Sequence, residues 1–134
     1  MDVRIYYEDT DAAGVVYHAN YLKYFERART EYFRRHGLLV AELTEAGYVF
    51  PVVRMEIDFK GPARHDDLLT IETQPEHVSG SSFSVRQRAV RASDGKVLVT
   101  ALVKLACVGR DLRARRIPPM VTQVIGCGDS GTAG

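Results

Sequence analysis

The chemistry in this chain concentrates in one short stretch. Asp9 and Asp11 sit in the loop Glu8-Asp-Thr-Asp-Ala-Ala-Gly14, with Val15, Val16, Tyr17, His18 and Asn20 directly after it. From residue 20 the pattern turns helical. Tyr21, Tyr24 with Phe25, Ala28 and Tyr32 share one face, while Lys23, Arg27, Glu31, Arg34 and Arg35 take the others. The start of a helix presents unpaired N–H donors and about half a positive charge. A carboxylate a few residues upstream in a tight loop can lie across a small gap from those donors. Acyl transfer needs that pairing, with a base or nucleophile on one side and an oxyanion stabiliser on the other. Ordinary Asx-turn bonds within the loop explain the same two aspartates equally simply.

Other chemistries find no footing. The Ser-Gly-Ser-Ser run at 79–82 lacks the G-x-S-x-G spacing of a hydrolase elbow. His18, His36, His65 and His77 are scattered, and no H-E-x-x-H or paired Cys/His set predicts a metal site. Residues 9–14 imitate the opening of a calcium loop, but Ala13 stands where an oxygen ligand belongs and Asn20 replaces the closing glutamate. Gly126, Gly128 and Gly131 spell a dinucleotide fingerprint with only three residues after it, too few for the helix that motif opens.

The elements that must position the loop follow from periodicity. A strand is predicted over residues 3–7 and a helix over 20–36, with Asn20 as its N-cap and Gly37 as its stop. A short helical segment covers 39–46. Strands follow at 50–59, 67–74, about 83–89 and 96–108, the third and fourth joined through a two-residue type I′ turn at Asp94-Gly95. One long helix and an antiparallel meander imply an α+β fold, the sheet wrapping the helix. Eight of the twelve aromatics lie in the first 33 residues, which marks that segment as the packing centre or a pocket lining.

The chain has 134 residues and a net charge of +1. That predicts one domain with no general attraction to nucleic acid or anionic membrane. A chain of this size buries about two-thirds of its unfolded surface, enough for a core without staples. Cys107 and Cys127 form no disulfide framework, and no apolar run has the length of a membrane span. No secretory leader is read at the start, so the expected compartment is the cytoplasm. The expected organisation is one domain over residues 1–125 and a flexible Gly-rich tail over 126–134.

The stretch YYEDTDAAGVVYHANYLKYFERARTE (6–31) resembles the hotdog-fold acyl-CoA thioesterases of the 4-hydroxybenzoyl-CoA thioesterase superfamily, in particular the branch associated with the Tol-Pal envelope system. The likeness continues through FPVVRMEIDF (50–59) and on through Pro62, Arg64 and Asp67, and so covers most of the chain. The resemblance implies a long helix wrapped by a five-stranded antiparallel sheet. It implies that Asp11 is the catalytic carboxylate, activating water or attacking the thioester carbonyl, and that the backbone N–H of His18 polarises that carbonyl. The His18 imidazole either assists or is a plain loop histidine. Val16 and Tyr17 would line the acyl pocket, and Gly14 would let the loop turn. The substrate would be an acyl-CoA with a short or aromatic acyl group, and no cofactor or metal is implied. The resemblance further implies a homodimer or a dimer of dimers, the pocket borrowing Phe59 and Lys60 from a neighbouring chain.

CoA phosphates call for basic partners, and Lys60, Arg64, Arg86 and Arg88 are the candidates. Arg110, Arg113, Arg115 and Arg116 form a denser group, suited to CoA, an acidic protein or lipid headgroups, or forming a plain solvated linker. Two other functions stay open. A hotdog dehydratase would use an acid on the helix, such as Glu26 or Glu31. A non-catalytic acyl-binding scaffold would work with envelope or lipid-synthesis proteins.

Overall fold

The computed structural model describes the backbone of residues 1–133 and the side chains of residues 1–126. The long helix is α1 (Asn20–Arg35), and its buried residues are Tyr21, Tyr24, Phe25, Ala28, Arg29, Tyr32 and Phe33. These recur at three- and four-residue steps and form the stripe an amphipathic helix turns to a core. Its end follows the predicted stop: Gly37 takes φ +81°, the Leu38 N–H reaches the Phe33 carbonyl, and the Gly37 N–H reaches that of Arg34. Its start differs from prediction. Asn20 is the first helical residue, Ala19 precedes it, and neither side chain caps the helix. The short helix α2 (Val40–Glu45) closes on Gly47 in the same manner, with Tyr48 N–H bonded to the Leu43 carbonyl.

Five strands form one antiparallel sheet: β1 (Asp2–Arg4), β2 (Val52–Phe59), β3 (Leu68–Val78), β4 (Ser82–Arg91) and β5 (Val97–Ala106). The order across the sheet is β1-β3-β4-β5-β2. A helix-wrapping five-stranded antiparallel sheet of this kind is the hotdog fold. Phe83, Val85, Ala89, Val99, Ala101 and Val103 are buried with the α1 stripe in a single core.

Three details correct the expectations. Only β3, β4 and β5 meander, since β2 lies beyond β5 at the sheet edge. Three strand spacings of about 4.8 Å separate β2 from β3. The strap over residues 60–67 crosses that gap along one end of the sheet. Second, the β4–β5 turn holds four residues, 92–95. Arg91 N–H bonds the Lys96 carbonyl, and Gly95, at φ +70°, donates to the Arg91 carbonyl. Asp94 keeps a negative φ, which a type I′ turn forbids. Third, the first strand stops at Arg4, and Tyr7 belongs to a 3-10 turn (Tyr7–Asp9) with Tyr6 and Tyr7 exposed.

A third helix, α3 (Pro119–Ala133), starts in the last residues of the expected domain, where the sequence predicts no element, and runs into the expected tail. Proline suits the first helical position, because its φ is pre-set and its missing N–H would be unpaired there anyway. Val121 and Ile125, one turn apart, are fully buried in the common core, and the helix packs on β3. The expected tail lies beyond the described side chains for all but residue 126.

Candidate active site

The Asp11 loop is a miniature hairpin. Thr10 and Val16 form an antiparallel bridge, Asp11 N–H bonds the Val15 carbonyl at 2.9 Å, and Gly14 N–H bonds the Asp11 carbonyl at 2.9 Å. Gly14 sits at φ +78°, a region glycine enters without steric cost. The Asp11 carboxylate accepts the Ala13 N–H through Oδ1 at 2.8 Å, an Asx turn that fixes the side chain beside its own loop. The Asx-turn reading of this aspartate therefore holds for one oxygen, Oδ1.

The hairpin is docked on the strap. Val16 N–H bonds the Ala63 carbonyl at 2.9 Å, and Val15 bridges Arg64. Asp9 anchors the hairpin's other side, its backbone carbonyl accepting Tyr17 N–H at 2.9 Å and Asn20 Nδ2 at 2.9 Å. Asp9 also accepts the Tyr6 N–H through Oδ2 at 2.8 Å. Asn20 thus braces the loop to the helix. The first N–H groups of α1 are occupied by short-range bonds: Asn20 to the Tyr17 carbonyl, Tyr21 to that of His18, and Leu22 to that of Ala19. Among the described residues, the N–H groups of His18 and Ala19 have no backbone or side-chain acceptor. The free donors at this helix start are thus those of the two residues directly before Asn20.

A cleft of about 360 Å³ opens here, lined by Asp11, Val15, Val16, His18, Tyr21, Phe59 and the strap residues Lys60, Gly61 and Pro62. The His18 ring meets Phe59 edge to face at 6.1 Å between centroids, and Tyr21 meets the same ring at 5.9 Å. Burial pushes the Tyr21 phenol up to about 12, partly offset by a hydrogen bond from the Ala63 backbone and reinforced by the charge of Asp67. Tyr21 is therefore a neutral wall at physiological pH.

Of the site residues predicted from sequence, Asp11, Val16, His18, Phe59 and Lys60 come together at this cleft. Phe59 and Lys60 reach it from the same chain. Gly14 shapes the hairpin without lining the cleft, and Tyr17, 47% exposed and absent from the lining, meets the His18 ring at 4.7 Å between centroids with the planes tilted by 54°. Tyr21 fills the wall position instead, as its place on the apolar helical stripe would indicate. Arg64 holds the strap through backbone bonds and keeps its side chain exposed. Arg86 and Arg88 are committed to Glu76 and Glu72 across the sheet, and Arg110 and Arg115 bond the carbonyls of Glu45 and Gly47. The arginine group thus lies on a hairpin braced by a Val108–Ala114 bridge, with Arg115 over the Tyr48 ring, and its four arginines stay exposed. Among the described residues no cluster has metal-binding composition, and no helix is long and apolar enough to cross a membrane.

Residues 6–125 match the family model of the thioesterase-like superfamily. The chain belongs to that family. It is 41% identical over 120 residues to the acyl-CoA thioester hydrolase YbgC of Escherichia coli, covering 89% of each chain. It is 48% identical over 107 residues to the acyl-CoA thioesterase YbgC of Haemophilus influenzae, covering 79% of this chain and 77% of that one. The crystal structure of a probable thioesterase from Bartonella henselae superposes with a TM-score of 0.80 at 40% identity, covering 88% of this chain and 97% of that one. The family and fold implied by the motif over 6–31 hold for this member of the thioesterase-like superfamily.

Proposed function

We propose that the chain hydrolyses acyl-CoA thioesters to the free acid and CoA, with Asp11 as the reacting carboxylate. The observation that carries this reading is the cleft that Asp11 and His18 both line, beside a helix start where the N–H groups of His18 and Ala19 meet no acceptor among the described residues. The thioester carbonyl oxygen sits on those donors, whose partial positive charge is fixed in place before the negative charge develops. Asp11 either withdraws a proton from water attacking the carbonyl carbon or attacks it directly, giving an anhydride that water opens. In both routes a C–O bond forms, the C–S bond breaks, and the departing sulfur leaves as thiolate and takes a proton from solvent. The relatives named for acyl-CoA hydrolysis support the substrate class.

Aromatic walls at Tyr21 and Phe59 support a short or aromatic acyl group, and Lys60 on the lining, with the exposed Arg64 further along the strap, supports recognition of the CoA phosphates. Glu26 and Glu31 do not line this cleft, and Glu31 is paired with Arg34, which weighs against a dehydratase. The exposed edge β2 supports a homodimer, because an unpaired eight-residue edge is satisfied by a second copy of itself. The motif over 6–31 supports the Tol-Pal-associated branch, and buried, free Cys107 agrees with a reducing cytoplasm. Release of CoA thiol from acetyl-, hexanoyl- and benzoyl-CoA, followed with a thiol-trapping dye, tests the proposal. Saturable turnover of at least one ester supports it, whereas acyl-CoA binding without thiol release would establish the scaffold reading instead.

A further inference from the structure

A second cavity, of about 200 Å³, lies between α1, α2 and the start of β2, and shares no residue with the Asp11 cleft. Phe33, Val40, Leu43, Phe50 and Leu105 give it apolar walls. Arg29 breaks that pattern: it lines the cavity, yet only 8% of it is exposed. Its one hydrogen bond among the described residues runs from Nη1 to Gln87 Oε1 at 3.0 Å. A guanidinium carries five N–H donors, so most of its donor capacity is unspent. Gln87 is fully buried and cannot turn away, because its Nε2 donates to the Phe25 carbonyl at 2.9 Å and to Thr73 Oγ1 at 3.1 Å.

Many of the other arginines have carboxylate partners: Arg34 with Glu31, Arg54 with Glu56, Arg86 with Glu76, Arg88 with Glu72 and Arg91 with Asp94. Among the described residues no carboxylate lies within ion-pair distance of Arg29. Glu26, exposed at the cavity rim, favours its charge only from afar. A buried cation without a counter-ion is costly, and an arriving anion removes that cost.

We propose that this cavity binds a small carboxylic acid with a compact hydrocarbon body, the carboxylate on Arg29 and the hydrocarbon among Phe33, Leu43 and Phe50. The planar fork of a guanidinium matches a carboxylate bidentately. The volume corresponds to about six or seven waters, room for an acid of the size of hexanoate or benzoate. The apolar walls favour such a molecule over inorganic phosphate. The proposed hydrolysis releases acids of this class, yet occupancy of the cavity does not depend on turnover, so the site stands whether or not the Asp11 cleft is catalytic.

The test uses hexanoate with the full chain, followed by thermal unfolding and by NMR. Millimolar hexanoate should raise the unfolding midpoint and shift the Gln87 side-chain amide and Leu43 methyl resonances saturably, while hexanol does neither. Arg29→Met should weaken binding at least tenfold. Should that variant fail to fold, Val40→Trp decides the matter: Val40 is 39% exposed at the rim, and the larger ring would fill the cavity while leaving Arg29 intact. Equal responses to hexanoate and hexanol overturn the proposal. So do shifts confined to Asp11 and Phe59, or hexanoate binding undiminished in Val40→Trp.

Discussion

Asn20 donates from Nδ2 to the backbone carbonyl of Asp9 at 2.9 Å, closing an eleven-residue loop on the first turn of the helix. The carboxylate of Asp11 and the unengaged N–H groups of His18 and Ala19 all lie inside that loop. Whatever moves one moves the others. The position of the Asp11 hairpin relative to the helix start is thereby set by local hydrogen bonds, and the burial of α1 holds the assembly against the sheet.

Asp11→Asn should retain the fold and lose the chemistry. An amide oxygen still accepts the Ala13 N–H, so the unfolding midpoint should stay where it is. The loss of a carboxylate should lower the rate of CoA release at least ~10²-fold, the low end of general-base contributions. Normal turnover in the variant would remove Asp11 from the mechanism.

Lys60→Ala and Arg64→Ala should raise KM for acyl-CoA while leaving kcat nearly unchanged. Each lost charge-assisted contact to phosphate is worth ~1.5–3 kcal/mol, or about tenfold and more in KM. Steady-state kinetics with the corresponding acyl-pantetheine, which has no nucleotide, supply the control. If KM rises equally for both esters, the two side chains do not read the phosphates.

Alkaline pH should destabilise the protein through two phenols. Burial, aided by the charge of Asp9, holds the Tyr24 phenol well above its ordinary value, and Tyr21 titrates near 12. The folded state therefore keeps protons that the unfolded chain has lost, and stability falls as pH rises from about 10 towards 12. Below about pH 9 these groups contribute no slope. The Tyr24 hydroxyl is buried and makes no hydrogen bond of ordinary geometry among the described residues, although the Asp9 side chain lies close enough to bear on it. Tyr24→Phe should consequently leave stability at pH 7 unchanged or raise it by up to about 1–3 kcal/mol, and should flatten the alkaline decline. Denaturant midpoints from pH 8 to 11 measure both effects, and a destabilised variant at pH 7 would show that the hydroxyl has a partner.

Val53→Lys should separate the subunits of the proposed dimer. Val53 is 56% exposed on the edge strand β2, and a lysine there blocks strand-to-strand addition. Sedimentation velocity should give twice the chain mass for the native protein and the chain mass for the variant. A native protein that sediments as a monomer would refute the edge pairing.

Much of the site was legible because its parts are contiguous in the sequence. The aspartate, the turn glycine, His18 and the helix that follows lie within about one loop of one another. Helical period marked α1, and Gly37 marked its end. Partnership across the sheet was harder to read, because alternation shows that β2 is a strand and says nothing of its neighbour. Consecutive strands usually adjoin, and β2 departs from that habit. The role of Asp9 rests largely on its backbone carbonyl, an atom every residue possesses, so its side chain gave little warning. Tyr17 and Tyr21 have the same chemistry, but Tyr17 precedes the helix and stays exposed, while the helical phase turns Tyr21 to the cleft wall. In α3, Pro118-Pro119 reads as a break, and the short stripe of Val121, Val124 and Ile125 is too brief to outweigh it.

The strap over residues 60–67 has two duties at once. It ferries the chain from one margin of the sheet towards the other, and through the Ala63 carbonyl and Arg64 it seats the Asp11 hairpin. Its length consequently governs where that hairpin rests. An insertion there would shift the floor of the Asp11 cleft, whereas the four-residue turn at 92–95, touching neither cavity, is the natural place to graft a tag or a loop.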